Sequence, residues 1–366
     1  MRPAFPWLLA LALTIASIFL AWPCFNCFDP GSIAWEVVFR KAADPLDDLR
    51  DVPEYLWLSK KVFRLTVPLI ISIMGLGPIG TIVLQFAVNY LLFAFTFKLA
   101  LRVLKDPIAA TWLTAGLAFL YFGRAGLHDL EHLWFDGLAF FFLIAAMHAR
   151  RPIAIFLWCT LAAWTDERAF MALGNVLLFH QLEGVPDRSI RLLRPKPNGV
   201  AALIAIGAYL VLRIILAGRY DLPTSTYGAE PAYLERTLIY LPIGAWTFLE
   251  GFWIILIAVV GLAFRSRHYF LAFFLAAASL CAIMIAGSVS DITRSGSYLV
   301  PIVFVCLLML KEHLAEIPIR RLLLVAGVTS LLFPAVMVCP DWEIARWSRP
   351  PLPVQVLRVW MEGGMR

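Results

Sequence analysis

The chain has 366 residues, 61% of them hydrophobic, with 31 Lys and Arg against 25 Asp and Glu for a formal charge of +6. This excess of apolar residues, spread over the whole length in continuous rather than alternating runs, excludes a water-soluble enzyme and argues against a β-barrel. The modest positive charge is what cytoplasmic loops of a membrane protein supply, so nucleic acid is not an expected partner.

The first apolar segment, Trp7 to Trp22, follows Arg2 and resembles a signal peptide. Ala21-Trp22-Pro23 lacks the small residues of a cleavage site, so the segment reads as a first transmembrane helix with its N-terminus inside. Cys24 and Cys27 follow in Cys-x-x-Cys spacing. A local disulfide or free thiols suit them better than a metal, because no second pair matches. Cys159, Cys281 and Cys306 fall in apolar runs and read as packing residues. Residues 23–64 form a first extracytoplasmic loop, with Trp35, Tyr55 and Trp57 among charges, and are expected to fold along the interface. Asp29 lies where the first helix leaves the membrane; Asp44, Asp47, Asp48 and Asp51 read as a solvated acidic loop with capping roles.

The run 65–97 is interrupted by Gly75, Gly77, Pro78 and Gly80. Its first half is too short to span, and a re-entrant piece from 65 to 77 leaves Lys98, Arg102 and Lys105 inside, as the positive-inside rule prefers. Further runs cover 107–122, 135–148, 152–164, 169–181, 199–217, 238–263, 269–288, 297–310 and 320–338. The basic clusters at 148–151, 188–196, 265–267 and 311–321 then fall on the inner side. The expected architecture is one all-α polytopic domain over 1–366, with about 11 spans plus the re-entrant segment. A short extracytoplasmic tail, 339–366, ends it.

Besides Asp29, three further constellations stand on the outer side. His128-Asp129-Leu130-Glu131-His132, followed by Asp136, puts both histidines on one helical face, where they can ligate a divalent metal; the plain alternative is the polar end of a helix pair. Trp164-Thr165-Asp166-Glu167-Arg168 interrupts an apolar stretch, and ionisable groups at membrane depth are functional candidates. The competing reading is a turn in which Asp166 caps the next helix and Arg168 pairs with Glu167. Ser290-Asp291-Ile292-Thr293-Arg294 offers an arginine for bidentate phosphate contact, or an Asp291–Arg294 structural pair. Arg213 and Glu250, inside apolar runs, are expected to pair with each other or face one cavity. Carboxylates as bases and arginines as holders of a phosphate leaving group suit transfer chemistry on a phosphate-linked lipid, and also suit a transporter.

The order of these segments resembles the bacterial membrane glycosyltransferases of the GT-C fold, which use polyprenyl-phosphate sugars. The likeness is carried by Asp29 after the first helix, by Ala42-Ala43-Asp44-Pro45, by Asp51-Val52-Pro53-Glu54-Tyr55 and by Arg64-Leu65-Thr66-Val67-Pro68-Leu69. Asp136, Thr165-Asp166-Glu167 and Asp291-Ile292-Thr293-Arg294 with Tyr298 and Pro301 continue it. Asp29-Pro30-Gly31-Ser32-Ile33 stands where related chains carry Asp-Gly-x-x-Tyr. The resemblance implies a plasma-membrane enzyme that moves a sugar from a polyprenyl-phosphate carrier to a glycan or lipid acceptor of the cell envelope. Asp29, Asp166 and Glu167 would be the catalytic carboxylates. Arg64, Asp129, Arg168, Asp291 and Arg294 would bind substrate, and His128 and His132 a divalent metal. The alternatives are a lipid or glycolipid transporter or flippase, and a non-catalytic partner in polysaccharide assembly.

Overall fold

The computed structural model describes residues 3–21, 31–52, 61–126, 135–184, 195–224, 237–332, 336–338 and 344–346, with single positions at 235, 357 and 361. Apart from one short ladder, these residues are helical or in connections between helices. Helix α1 covers Phe5–Ala21 and α2 Ile33–Ala43. The interrupted run becomes a nine-residue α3, Thr66–Met74, and a long α4, Pro78–Leu104. Gly75 closes α3 at φ +61°, a left-handed backbone that favours glycine, and Pro78 opens α4 where its missing N–H has no partner to lose. At 1.5 Å per residue α3 reaches only about 14 Å, roughly half the hydrocarbon core, so it is too short to cross.

Next come α5 (Pro107–Phe119), α6 (Tyr121–Arg124), α7 (Asp136–His148), α8 (Pro152–Thr165), α9 (Glu167–Leu182) and α10 (Pro197–Arg219). The chain continues through α11 (Leu241–Leu249), a 3-10 turn at Glu250–Phe252 and α12 (Trp253–Arg265), then α13 (Tyr269–Gly287), α14 (Ile292–Gly296), α15 (Pro301–His313) and α16 (Glu316–Leu332). Proline in the first turn opens α4, α5, α8, α10, α11 and α15. Asp106 caps α5, accepting from the amides of Ile108 (3.0 Å) and Ala109 (3.4 Å), so local sequence places most of the helix starts. Strand Val336–Val338, at the end of the 320–338 run expected as a helical span, pairs antiparallel with Ile344–Arg346 in the tail, which was expected to carry only an interfacial segment.

Five helical stretches are long and apolar enough to cross a membrane: Pro78–Leu104, Pro197–Arg219, Leu241–Arg265, Tyr269–Gly287 and Ile292–His313. They mark a membrane protein. Helices α5, α7 and α8 are apolar but shorter. Helix α7 is apolar on every side and almost wholly buried, as is α15; these two form the interior around which the others pack. Helix α7 packs on α4, α8 and α9, and α15 packs on α4, α9 and α12.

Charged side chains gather at the two ends of this bundle. At one end Arg102 donates to the carbonyls of Met147 (2.7 Å) and His148 (2.6 Å) and pairs with Glu183 at 3.0 Å, while Arg320 pairs with Asp106 at 2.5 Å. The start of α7 and the α8–α9 and α13–α14 connections lie at the opposite end, where the candidate site is found.

Candidate functional site

The site is built where four helices start or stop. Asp136 opens α7, Asp166 separates α8 from α9, Arg294 sits in α14, and Arg64 immediately precedes α3. Asp136 is fully buried, and its carboxylate is saturated. One oxygen accepts from the Tyr298 hydroxyl at 2.7 Å and from Arg168 Nη2 at 3.4 Å. The other accepts from the Tyr121 hydroxyl and from Arg294 Nε, both at 2.6 Å. Asp136 is therefore a hub that orients two arginines and two tyrosines.

Asp166 caps α9 by accepting from the Arg168 amide at 2.9 Å, and the same carboxylate receives Arg168 Nε and Nη2, each at 2.8 Å. Arg64 Nη1 approaches its other side at 3.1 Å. The cap and the charged cluster thus coexist in one residue. The expected Arg168–Glu167 pair is not what forms. Arg168 turns back to Asp166, and Glu167 is gripped in a two-pronged contact by Arg64, with Nε at 3.1 Å and Nη2 at 2.7 Å. Side chains at adjacent helical positions diverge, which is why Glu167 and Arg168 take different partners.

Arg294 is 1% exposed and also donates to Asp291 at 2.9 Å, the structural pair considered from sequence. Three arginines therefore face four carboxylates. Of the carboxylates, Asp136 and Asp166 are sealed, Asp291 is mostly covered, and Glu167 is the most open, with 36% of its side chain exposed. Removing such charges from water costs several kcal/mol each unless they are paired, and here each is paired.

An apolar crevice of about 150 Å³ opens beside this cluster, between α9 and α13. Phe274, Cys281 and Ile285 form its apolar side, and Arg168, Ser295 and Tyr298 its polar end. Arg168 Nη1 lies 3.5 Å from the Ser295 hydroxyl, and its guanidinium sits 5.6 Å from the centre of the Tyr298 ring. Phe273, Leu280 and Met284 on α13 are exposed, so the crevice lies at the apolar periphery of the bundle. Cys281 is exposed there, not packed inside as Cys159 and Cys306 are. A second cavity, lined by Lys41, Lys61, Arg64, Phe135 and Thr165, measures about 20 Å³, room for about one water.

The structure thus brings together Arg64, Asp166, Glu167, Arg168, Asp291 and Arg294. Asp29, Asp129, His128 and His132 lie outside the described residues, as do Cys24 and Cys27. Among the described residues no group of three or more His, Cys, Asp or Glu is placed to hold a metal. Arg213 and Glu250 do not meet. Arg213 bonds the Tyr209 hydroxyl at 2.6 Å, and the charge that acts on the buried Glu250 is Arg124. Tyr121 was not read from sequence, and carried no signal beyond its place at the end of an apolar run; Asp136 was singled out, but not as the hub of the cluster.

No family model matches the chain, and no curated protein or solved structure matches it.

Proposed function

We propose that this chain is a membrane glycosyltransferase of the GT-C kind, acting on a polyprenyl-phosphate sugar at the extracytoplasmic face of the plasma membrane. The observation that carries the reading is Arg168, which ends an apolar, peripheral crevice on one side and belongs to a buried carboxylate–arginine cluster on the other. A lipid chain suits the apolar walls, and a phosphate suits the guanidinium at their end. In this reading the chain crosses the membrane about 11 times, with α3 re-entrant, the N-terminus cytoplasmic and the C-terminus extracytoplasmic.

The chemistry is a single displacement. The acceptor hydroxyl oxygen bonds to the anomeric carbon, the bond from that carbon to the phosphate oxygen breaks, and the electron pair leaves with the phosphate. Arg168 meets the phosphate charge directly, with Arg64 beside it, while Asp136 holds Arg168 and Arg294 in place. Asp29 takes the acceptor proton, and Asp166 and Glu167 shape the sugar pocket. A divalent metal, if the reaction uses one, falls to Asp129, His128 and His132.

The test is transfer from a polyprenyl-phosphate sugar by the purified chain in lipid. Asp29→Asn, Arg168→Gln and Arg294→Ala are expected to abolish transfer, the two arginine variants with lowered stability as well. Full activity in all three overturns the roles. Failure of the wild type with every carrier sugar, alongside lipid movement across a proteoliposome, favours the transporter.

A further inference from the structure

Arg213 is one charged residue that the site leaves unused. It lies in α10, within a candidate span, about 9 Å along the axis from the end at Arg219. Its guanidinium lies 4.4 Å from the centre of the Phe63 ring and 5.8 Å from that of Tyr209, and donates to the Tyr209 hydroxyl. No carboxylate among the described residues comes within ion-pair distance of it. Arg64, Arg168 and Arg294, set into the bundle near this end, each have a carboxylate partner.

The surroundings point to the kind of anion that would suit it. Val211, Leu212, Ile214 and Ile215 flank Arg213 and are exposed, Ile214 to 72%, so the guanidinium is bordered by the apolar surface of α10. Tyr209 stacks on Phe170 at 4.8 Å and meets Trp164 at 5.0 Å, which holds Arg213 from behind and fixes it near the Asp166 turn. An arginine in an apolar span is costly without a counter-charge, and the anion available at this depth near a helix end is the phosphate of a lipid. A guanidinium held against Phe63 keeps the donors it does not spend on Tyr209 for a phosphate contact.

We infer that Arg213, backed by Phe63 and Tyr209, binds the phosphate headgroup of a membrane lipid at a site separate from the α9–α13 crevice. Helix α10 packs on α8 and α9 and lines no part of that crevice. The inference concerns binding alone and does not depend on the transfer reaction.

The test uses the full chain, delipidated in detergent and titrated with dioleoyl phosphatidic acid while native mass spectrometry counts bound lipids. Dioleoylglycerol supplies the same tails without phosphate, and inorganic phosphate supplies the anion without tails. The wild type is expected to bind phosphatidic acid and neither control. Arg213→Gln should lose one bound lipid and weaken that site about tenfold or more, Arg213→Lys should keep part of the affinity, and Phe63→Leu should weaken it with the charge intact. Arg168→Gln should leave this site occupied. Equal binding by wild type and Arg213→Gln overturns the inference. So does dioleoylglycerol binding as tightly as phosphatidic acid, which makes Arg213 an interfacial anchor only, and so does inorganic phosphate binding equally well, which makes it a free-anion site. A chain that binds phosphatidic acid at Arg213 yet transfers no sugar keeps this inference and removes the catalytic reading.

Discussion

Asp136 and Arg294 meet at 2.6 Å with neither side chain more than 1% exposed, although 158 positions separate them in the chain. The contact ties the start of α7 to α14 and, through the second Asp136 oxygen, to Arg168. Asp136→Asn removes the charge while keeping the shape, leaving Arg294 and Arg168 short of a counter-ion in a dry interior. Breaking a buried pair from one side costs about 3–5 kcal/mol. Thermal unfolding of Asp136→Asn in mild detergent should therefore drop well below wild type. Tyr298→Phe, which deletes one hydroxyl donor to the same carboxylate, should cost only about 1.5–3 kcal/mol. Equal midpoints for wild type and Asp136→Asn would remove the hub from the account.

Arg64 and Glu167 join a residue before the short α3 to the first turn of α9 through two hydrogen bonds. Their side chains are 13% and 36% exposed, so water screens the pair more than it screens Asp136. A double-mutant cycle with Arg64→Met and Glu167→Gln should return a coupling of about 1–2 kcal/mol, between the values typical of surface and buried pairs. Arg64→Met alone should cost more than Glu167→Gln alone, because it also strips a partner from the sealed Asp166. A coupling near zero, or the reverse order of the single effects, contradicts the geometry.

Lys41 in α2 is 1% exposed and its ammonium donates to the Pro45 carbonyl at 2.7 Å. Burial pushes its pKa down to about 8, with Asp47 and Asp44 only partly restoring it. The unfolded chain, with an ordinary lysine near 10.5, then binds more protons than the folded chain between these two values. Stability attributable to Lys41 must rise as pH climbs from about 8 towards 10.5, and be flat below 8. The measurement is the difference in unfolding midpoint between wild type and Lys41→Met across that window. A difference that stays constant, or that falls with pH, sinks the assignment.

The helical frame was legible in the sequence because a membrane leaves the backbone few choices: continuous apolar runs must become helices, and Pro78, Pro107, Pro152, Pro197 and Pro301 announce where they begin. The break in the 65–97 run was legible for the same reason, through Gly75 and Pro78. The site residues Asp166, Arg168, Asp291 and Arg294 were legible as charges too costly to leave unpaired at that depth. Their pairing was not. Which carboxylate Arg168 chooses depends on the rotation of α9 relative to α3 and α14, and adjacency in sequence pointed to Glu167, wrongly. Arg213 and Glu250 looked like partners because both stood alone in apolar runs, but solitary charges share no register signal. The hairpin at Val336–Val338 was hidden because its first strand continues the apolar run of α16.

Cys281 offers a direct probe of the crevice. It is exposed and lines the wall that runs towards Arg168, whereas Cys159 and Cys306 are buried. In a variant that keeps Cys281 and replaces the other cysteines by serine, a maleimide should react at this one position, and a variant keeping only Cys306 should stay unmodified in the folded state. Adduct size then reports occupancy. A small N-ethyl group should leave room beside Phe274 and Ile285, but a bulky aromatic maleimide fills a space of about 150 Å³ and should exclude a lipid chain. Phosphatidic acid bound at the Arg168 end should be lost on bulky labelling and retained after the small label. Prior loading with that lipid should slow the labelling itself. If the bulky adduct leaves lipid binding at Arg168 intact, the α9–α13 crevice is not the route by which a chain reaches that arginine.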